Sequence, residues 1–358
     1  MAALVAVSVG ISACGSKRIS AMYMSDPAHT GYLVTEDVAP ENAELWTFTG
    51  EGDGYSTPAI HRGFLYVGNN DGNVYALDAL TGKKIWQYST GGKIESSPAV
   101  VKGVVYVGSW DKHVYALNEA TGELLWRTAT GGQIYGAPTV SADMVLVGSL
   151  DHKLYALNAQ SGEVIWTGQT RGAIYGSPAI AEARAFVGSS DGKVYGFDLA
   201  TGERAWQFET KKPVFASPSV QSTTVLIGSD DRFMRALSTG SGQELWRFRT
   251  GKKINANAAV KDNLVVFASN DGYVYQVTRA GGRKTWEYKT YGPIQASPFL
   301  TENVVYVASN DGFVYALSLT TGKLLWKKEL GQFVFANPVV EKGVLYINDQ
   351  SGKLTAFR

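Results

Sequence analysis

The sequence is short of the residues that usually carry chemistry. Among 358 residues there is one cysteine, Cys14, and four histidines. A single thiol excludes an internal disulfide framework and any metal site built from several thiolates. The histidines, His29, His61, His113 and His152, have no metal-ligand spacing and no nucleophile partner, and read as surface or turn residues. No cluster of Asp, Glu and Asn outside turn positions offers a calcium cage. No catalytic, cofactor or metal residues are therefore assigned. Net charge is also lacking: the formal balance is +1, so no global field draws nucleic acid or a polyanionic surface. The chain is rich in glycine and aromatics, with 40 Gly and 19 Tyr, and helix formers are not enriched, which leans towards β structure.

The apolar start, Met1 to Ala13, is too short for a stable spanning helix. It ends Ile11-Ser12-Ala13-Cys14-Gly15 and resembles a bacterial lipoprotein signal, with residues 1–13 as signal peptide and Cys14 as the lipidated residue. No Lys or Arg precedes the run, as a signal peptide requires, which places the expected translation start upstream. Residues 14–42 then read as the anchored cysteine and a polar, aperiodic tether.

The feature present in abundance is a ladder of tryptophans, Trp46, Trp86, Trp126, Trp166, Trp206, Trp246, Trp286 and Trp326, each 40 residues after the last. Only Trp110 lies off it. A fixed period of this length marks one supersecondary unit repeated and stacked. Within a repeat, four short apolar runs separated by Gly, Asp and Asn make an antiparallel meander. Eight such meanders predict an all-β fold, an eight-bladed β-propeller of four-stranded blades over residues 43–358.

The columns of the repeat supply reasons. Ten residues after each tryptophan stand only Ser, Gly or Ala (Ser56 to Ala336), as crowding of eight inner strands at an axis demands. Two further on, proline fills seven of eight sites, Ala258 being the exception, which suits an inner edge where no ladder donor is needed. Asp71, Asp111, Asp151, Asp191, Asp231, Asp271 and Asp311, mostly followed by Gly, are expected to form tight two-residue turns rather than bind metal. The last repeat stops after its third strand, so the strand at 43–49 should complete the last blade and remove its exposed edge.

The segment Ala76-x-Asp78-x-x-x-Gly82-Lys83-x-x-Trp86 and its copies ending at Trp126, Trp166, Trp206, Trp246, Trp286 and Trp326 resemble the tryptophan-docking motif of quinoprotein-type (PQQ-like) propeller repeats. The resemblance implies that each tryptophan packs between adjacent blades. Anchored, eight-bladed members of this family are non-enzymatic scaffolds that bind the outer-membrane β-barrel insertase, and that likeness implies a place at the outer membrane facing the periplasm, or at the outer face of the cell membrane where there is only one, as a monomer within a complex. Arg171-Gly172 matches the partner-contact Arg-Gly of these scaffolds. Lys211-Lys212-Pro213 stands where their next blade is acidic. Other members are oxidoreductases that hold pyrroloquinoline quinone and calcium under a vicinal disulfide, which one cysteine cannot form.

Nine residues past each tryptophan, Tyr55, Glu95, Tyr135, Tyr175, Phe215, Asn255, Gln295 and Phe335 should ring one mouth of the channel. The aromatic members read either as anchors for a protein partner or as caps on the core. Beside them Glu51 and Asp53 on blade one, and Arg171, Lys211, Lys212, Lys252 and Lys253 on blades four to six, read as a solvated rim or as a charged contact surface. Tyr55, Tyr135, Arg171, Tyr175, Phe215 and Phe335 are the candidate partner-binding residues. Three functions stand: interaction scaffold, quinoprotein-like oxidoreductase, and ligand- or glycan-binding surface lipoprotein.

Overall fold

A computed structural model describes residues 20–38 and 43–358. Cys14 and the signal segment lie outside the described residues. Eight antiparallel sheets are arranged as the blades of a propeller. Blade one comprises Ala59–His61, Phe64–Gly68, Asn73–Asp78 and Lys84–Ser89, and the next six repeat this order at 40-residue intervals. Blade eight joins Val339–Glu341, Val344–Asn348 and Lys353–Phe357 to Glu44–Thr49, with Trp46 opposite Ala356. The N-terminal strand therefore closes the ring, and no blade is left with three strands.

Each ladder tryptophan sits at a register shift in the outermost strand, and those from Trp46 to Trp286 reach the next blade. Trp126 Nε1 donates to Ala159 O at 3.0 Å and Trp166 Nε1 to Leu199 O at 3.0 Å, thirty-three residues on in both cases. The indole covers the turn glycine of that next blade. A Cβ on Gly202, where φ is +74°, would lie 2.6 Å from the Trp166 ring. Glycine is required here twice over, by the left-handed backbone and by the ring.

Crowding at the axis is equally direct: a Cβ on Gly136 would meet Gly176 O at 2.7 Å. The aspartates are turn formers, but the turn is longer than expected. Gly72 N bonds Asn69 O, and within 69–72 only Gly72 has positive φ, so a four-residue loop replaces the two-residue turn. The tight two-residue turn lies in the other hairpin, where Arg62 and Gly63 both have positive φ. Asp71 Oδ1 accepts from Asn73 N while Oδ2 accepts from Tyr75 Oη and Glu51 N, so one carboxylate ties turn, strand and inner loop. Blade five replaces the tyrosine with Arg235, which pairs with Asp231 at 2.5 Å, both buried.

The reading of 14–42 as a tether fails for residues 20–38. Ser20–Ala21 adds a fifth strand to the inner edge of blade two. The chain then crosses the channel. Pro27, Ala28, Thr30 and Gly31 carbonyls accept from Ile180, Val220, Val260 and Leu300 N–H on blades four to seven. These are the free donors of the inner edges, and an unpartnered N–H there would be costly. His29 is buried in this plug, 1% exposed, with Nδ1 3.0 Å from Pro218 O and Nε2 3.2 Å from Thr139 Oγ1. Burial holds its pKa down at about 4. His61 is buried as well, 2.6 Å from Glu119, so neither histidine is the surface residue that its sequence setting suggested. Farther along, Val38 O receives Trp326 Nε1 at 3.3 Å. Here the N-terminal segment, rather than a following blade, supplies the acceptor.

Candidate functional site

The channel is closed at one end by the plug and open at the other, where the loops leading to the inner strands converge. There the expected ring of Tyr55, Glu95, Tyr135, Tyr175, Phe215, Asn255, Gln295 and Phe335 surrounds a cavity of about 170 Å3. Seven of these eight positions are held by the residue before them, an Ile or Val (Ile94, Ile134, Val214) that is fully buried beneath the loop; Tyr55 follows Gly54 instead. The aromatic side chains pack on one another. Tyr55 stacks on Phe335 at 5.2 Å. Trp110, Tyr135, Tyr175 and Phe215 form a continuous arc with centroid spacings of 4.7, 5.2 and 5.2 Å. Glu95 interrupts the aromatics between Tyr55 and Tyr135.

Arg171 does not enter the cavity. It is exposed on the rim, and its backbone N–H bonds Asp191 Oδ2 at 2.9 Å. Lys211, Lys212, Lys252 and Lys253 are exposed on the same side, and Glu51 and Asp53 on the other. The open face is thus polarised, with a basic arc over blades four to six and an acidic pair, Glu51 and Asp53, on blade one.

One component went unread in the sequence: the floor. Eleven residues past each tryptophan a short polar side chain accepts from the backbone of the preceding blade. Thr57 N bonds Ser97 Oγ, Ala137 N bonds Ser177 Oγ, Ser177 N bonds Ser217 Oγ, and Ser217 N bonds Asn257 Oδ1. Asn257 N bonds Ser297 Oγ, Ser297 N bonds Asn337 Oδ1, and Asn337 N bonds Thr57 Oγ1. The belt is broken only at Ala137, which has no acceptor to offer Ser97. Asn257 is 2% exposed, and its Nδ2 has no partner. Tyr23, from the plug, closes the cavity from below.

These features define an eight-bladed PQQ-like β-propeller with one closed and one open channel end. The chain belongs to the family described as the β-propeller of beta-alanine-activating enzyme, whose profile matches residues 20–239. The profile described as outer membrane protein assembly factor BamB matches residues 229–358. No curated protein matches the sequence. Among solved structures, BamB from Moraxella catarrhalis is similar with a TM-score of 0.73 and 19% identity, covering 88% of this chain and 97% of its own. The computationally designed Ika8 protein gives 0.80 at 18% identity, covering 88% of this chain and 99% of its own. Quinohemoprotein alcohol dehydrogenase from Comamonas testosteroni gives 0.80 at 17%, covering 94% of this chain and 80% of its own. At these identities the likeness is one of fold.

The quinone that the PQQ-like name implies is a tricyclic tricarboxylate. The cavity lining offers it a carboxylate, Glu95, and no lysine or arginine. Among the described residues no three His, Cys, Asp or Glu side chains gather where they could hold the accompanying metal. The residues present do not fit the group, and no step is derived through it.

Proposed function

We propose that the chain is a membrane-anchored, non-catalytic interaction scaffold that works in outer-membrane β-barrel protein assembly, with its open face as the contact surface. The observation that carries this reading is the arc of Tyr135, Tyr175 and Phe215 beside the exposed Arg171 and the lysines of blades five and six. Aromatic and arginine side chains grouped at a concave face are the residue types that dominate protein interfaces. The match of residues 229–358 to the BamB profile favours the same role. Lipidation of Cys14 would hold the scaffold at the membrane.

Pull-down from envelope extracts tests the contact surface. Alanine at Tyr135, Tyr175 and Arg171 together should abolish recovery of the barrel insertase while leaving the melting temperature unchanged, and full recovery would refute the reading. Fatty-acid labelling, with Cys14→Ser as the contrast, tests the anchor separately.

A further inference from the structure

We propose that the mouth cavity is a receptor for an alkylammonium group, with Glu95 as its counter-ion and the tyrosine-rich ring as its wall. This goes beyond the scaffold reading and stands without it. Glu95 is the one side chain with a formal charge among those lining the cavity. It is half-buried, lies beside Asn70, and joins no ion pair among the described residues. Burial raises its pKa, and the charge of Asp53 adds to the rise, while Asn70 and Lys93 oppose it. The negative field extends to the ring hydroxyls. Tyr135 is pushed up to about 12 by burial and then by Glu95. Tyr55 is raised by burial and then by Asp53, with Glu95 contributing.

A carboxylate in a partly desolvated wall, offset only by Lys93, which is exposed and lies over the Trp110 ring at 5.2 Å rather than in an ion pair, is under-compensated, and the guest that completes it is positive. Aromatic walls favour the same sign, because a ring's quadrupole attracts cations. The floor agrees. Ser97, Ser177, Ser297 and Asn337 each accept one backbone bond and keep a lone pair for N–H or polarised C–H donors. A cavity of about 170 Å3 accommodates a butylammonium or trimethylammonium head. The lysines of the basic arc lie across the axis, exposed on the rim, where salt screens them over about 8 Å.

Titration calorimetry of the full chain with choline and with its neutral isostere 3,3-dimethylbutanol separates charge from shape, and n-butylamine represents a lysine side chain. Choline or butylamine should bind at least about tenfold more tightly than the neutral isostere. Glu95→Gln should erase that preference, and Tyr175→Leu should weaken the ammonium about tenfold with the melting temperature retained. Equal binding of charged and neutral guests, absence of heat with both ammonium ions, or an affinity unchanged in Glu95→Gln would each overturn the proposal. The preference of the native protein for butylamine or for choline tells whether the guest is a lysine-type amine or a quaternary head group.

Discussion

Lowering the pH from about 7 to about 4 should undock the plug before the blades unfold, because His29 is buried there as a neutral imidazole. Its pKa is about 4 in the folded chain against an ordinary 6.5. Above about pH 6.5 the ring is neutral whether docked or free, and its contribution to stability is intact. Between there and about pH 4 the free segment takes up a proton that the docked form refuses, so stability falls as pH falls. Below about pH 4 both forms are protonated and the loss is complete, at about 3 kcal/mol. Hydrogen exchange at the amides of Ile180, Val220, Val260 and Leu300 reports the opening, since plug carbonyls hold these four donors. After correction for intrinsic rates, their protection should fall with pH in the native chain and not fall in His29→Gln, where Asp26, its pKa raised by burial, adds stability as the pH drops. The same pH dependence in both would refute the reasoning.

Other perturbations have equally definite outcomes. Trp166→Ala removes a buried indole and its bond to Leu199 O, and should cost about 3–5 kcal/mol in denaturant unfolding. Trp166→Phe keeps the packing over Gly202 and should cost about 1–3 kcal/mol, the value of a stranded carbonyl. Arg235→Ala leaves Asp231 buried without its cation and should destabilise by about 3–5 kcal/mol. Arg235→Tyr should recover most of that, since Tyr195 and Tyr275 bond the turn aspartate at this position in neighbouring blades. Deletion of residues 43–49 exposes the edge of Lys353–Phe357, and thermal melting should show a large drop with aggregation; an undiminished melting temperature would exclude the closing strand.

The ring was legible because its interactions recur. A tryptophan, its glycine and its carbonyl acceptor return every 40 residues, so eight blades and the closing strand follow from spacing alone. The mouth residues were legible for the same reason. The plug was not, because each of its contacts occurs once and most run through its backbone, which leaves composition unconstrained. The floor belt escaped because Thr57, Ser97 and Asn257 are residue types common in turns, and size rather than hydrogen bonding was read from the columns beside them. His61 escaped because its partner, Glu119, is 58 residues away, beyond any local pattern.

The route of the plug gives the molecule a defined up and down. Ser20 pairs with Val101 at the end of blade two remote from the mouth, and Cys14 lies six residues before it. Fully extended, that stretch spans about 20 Å. An acyl chain on Cys14 would hold the closed end of the propeller against the bilayer and turn the mouth outward. The site would then stand the height of the domain above the lipid, accessible to partners and solutes arriving through the aqueous phase and closed to those diffusing within the membrane.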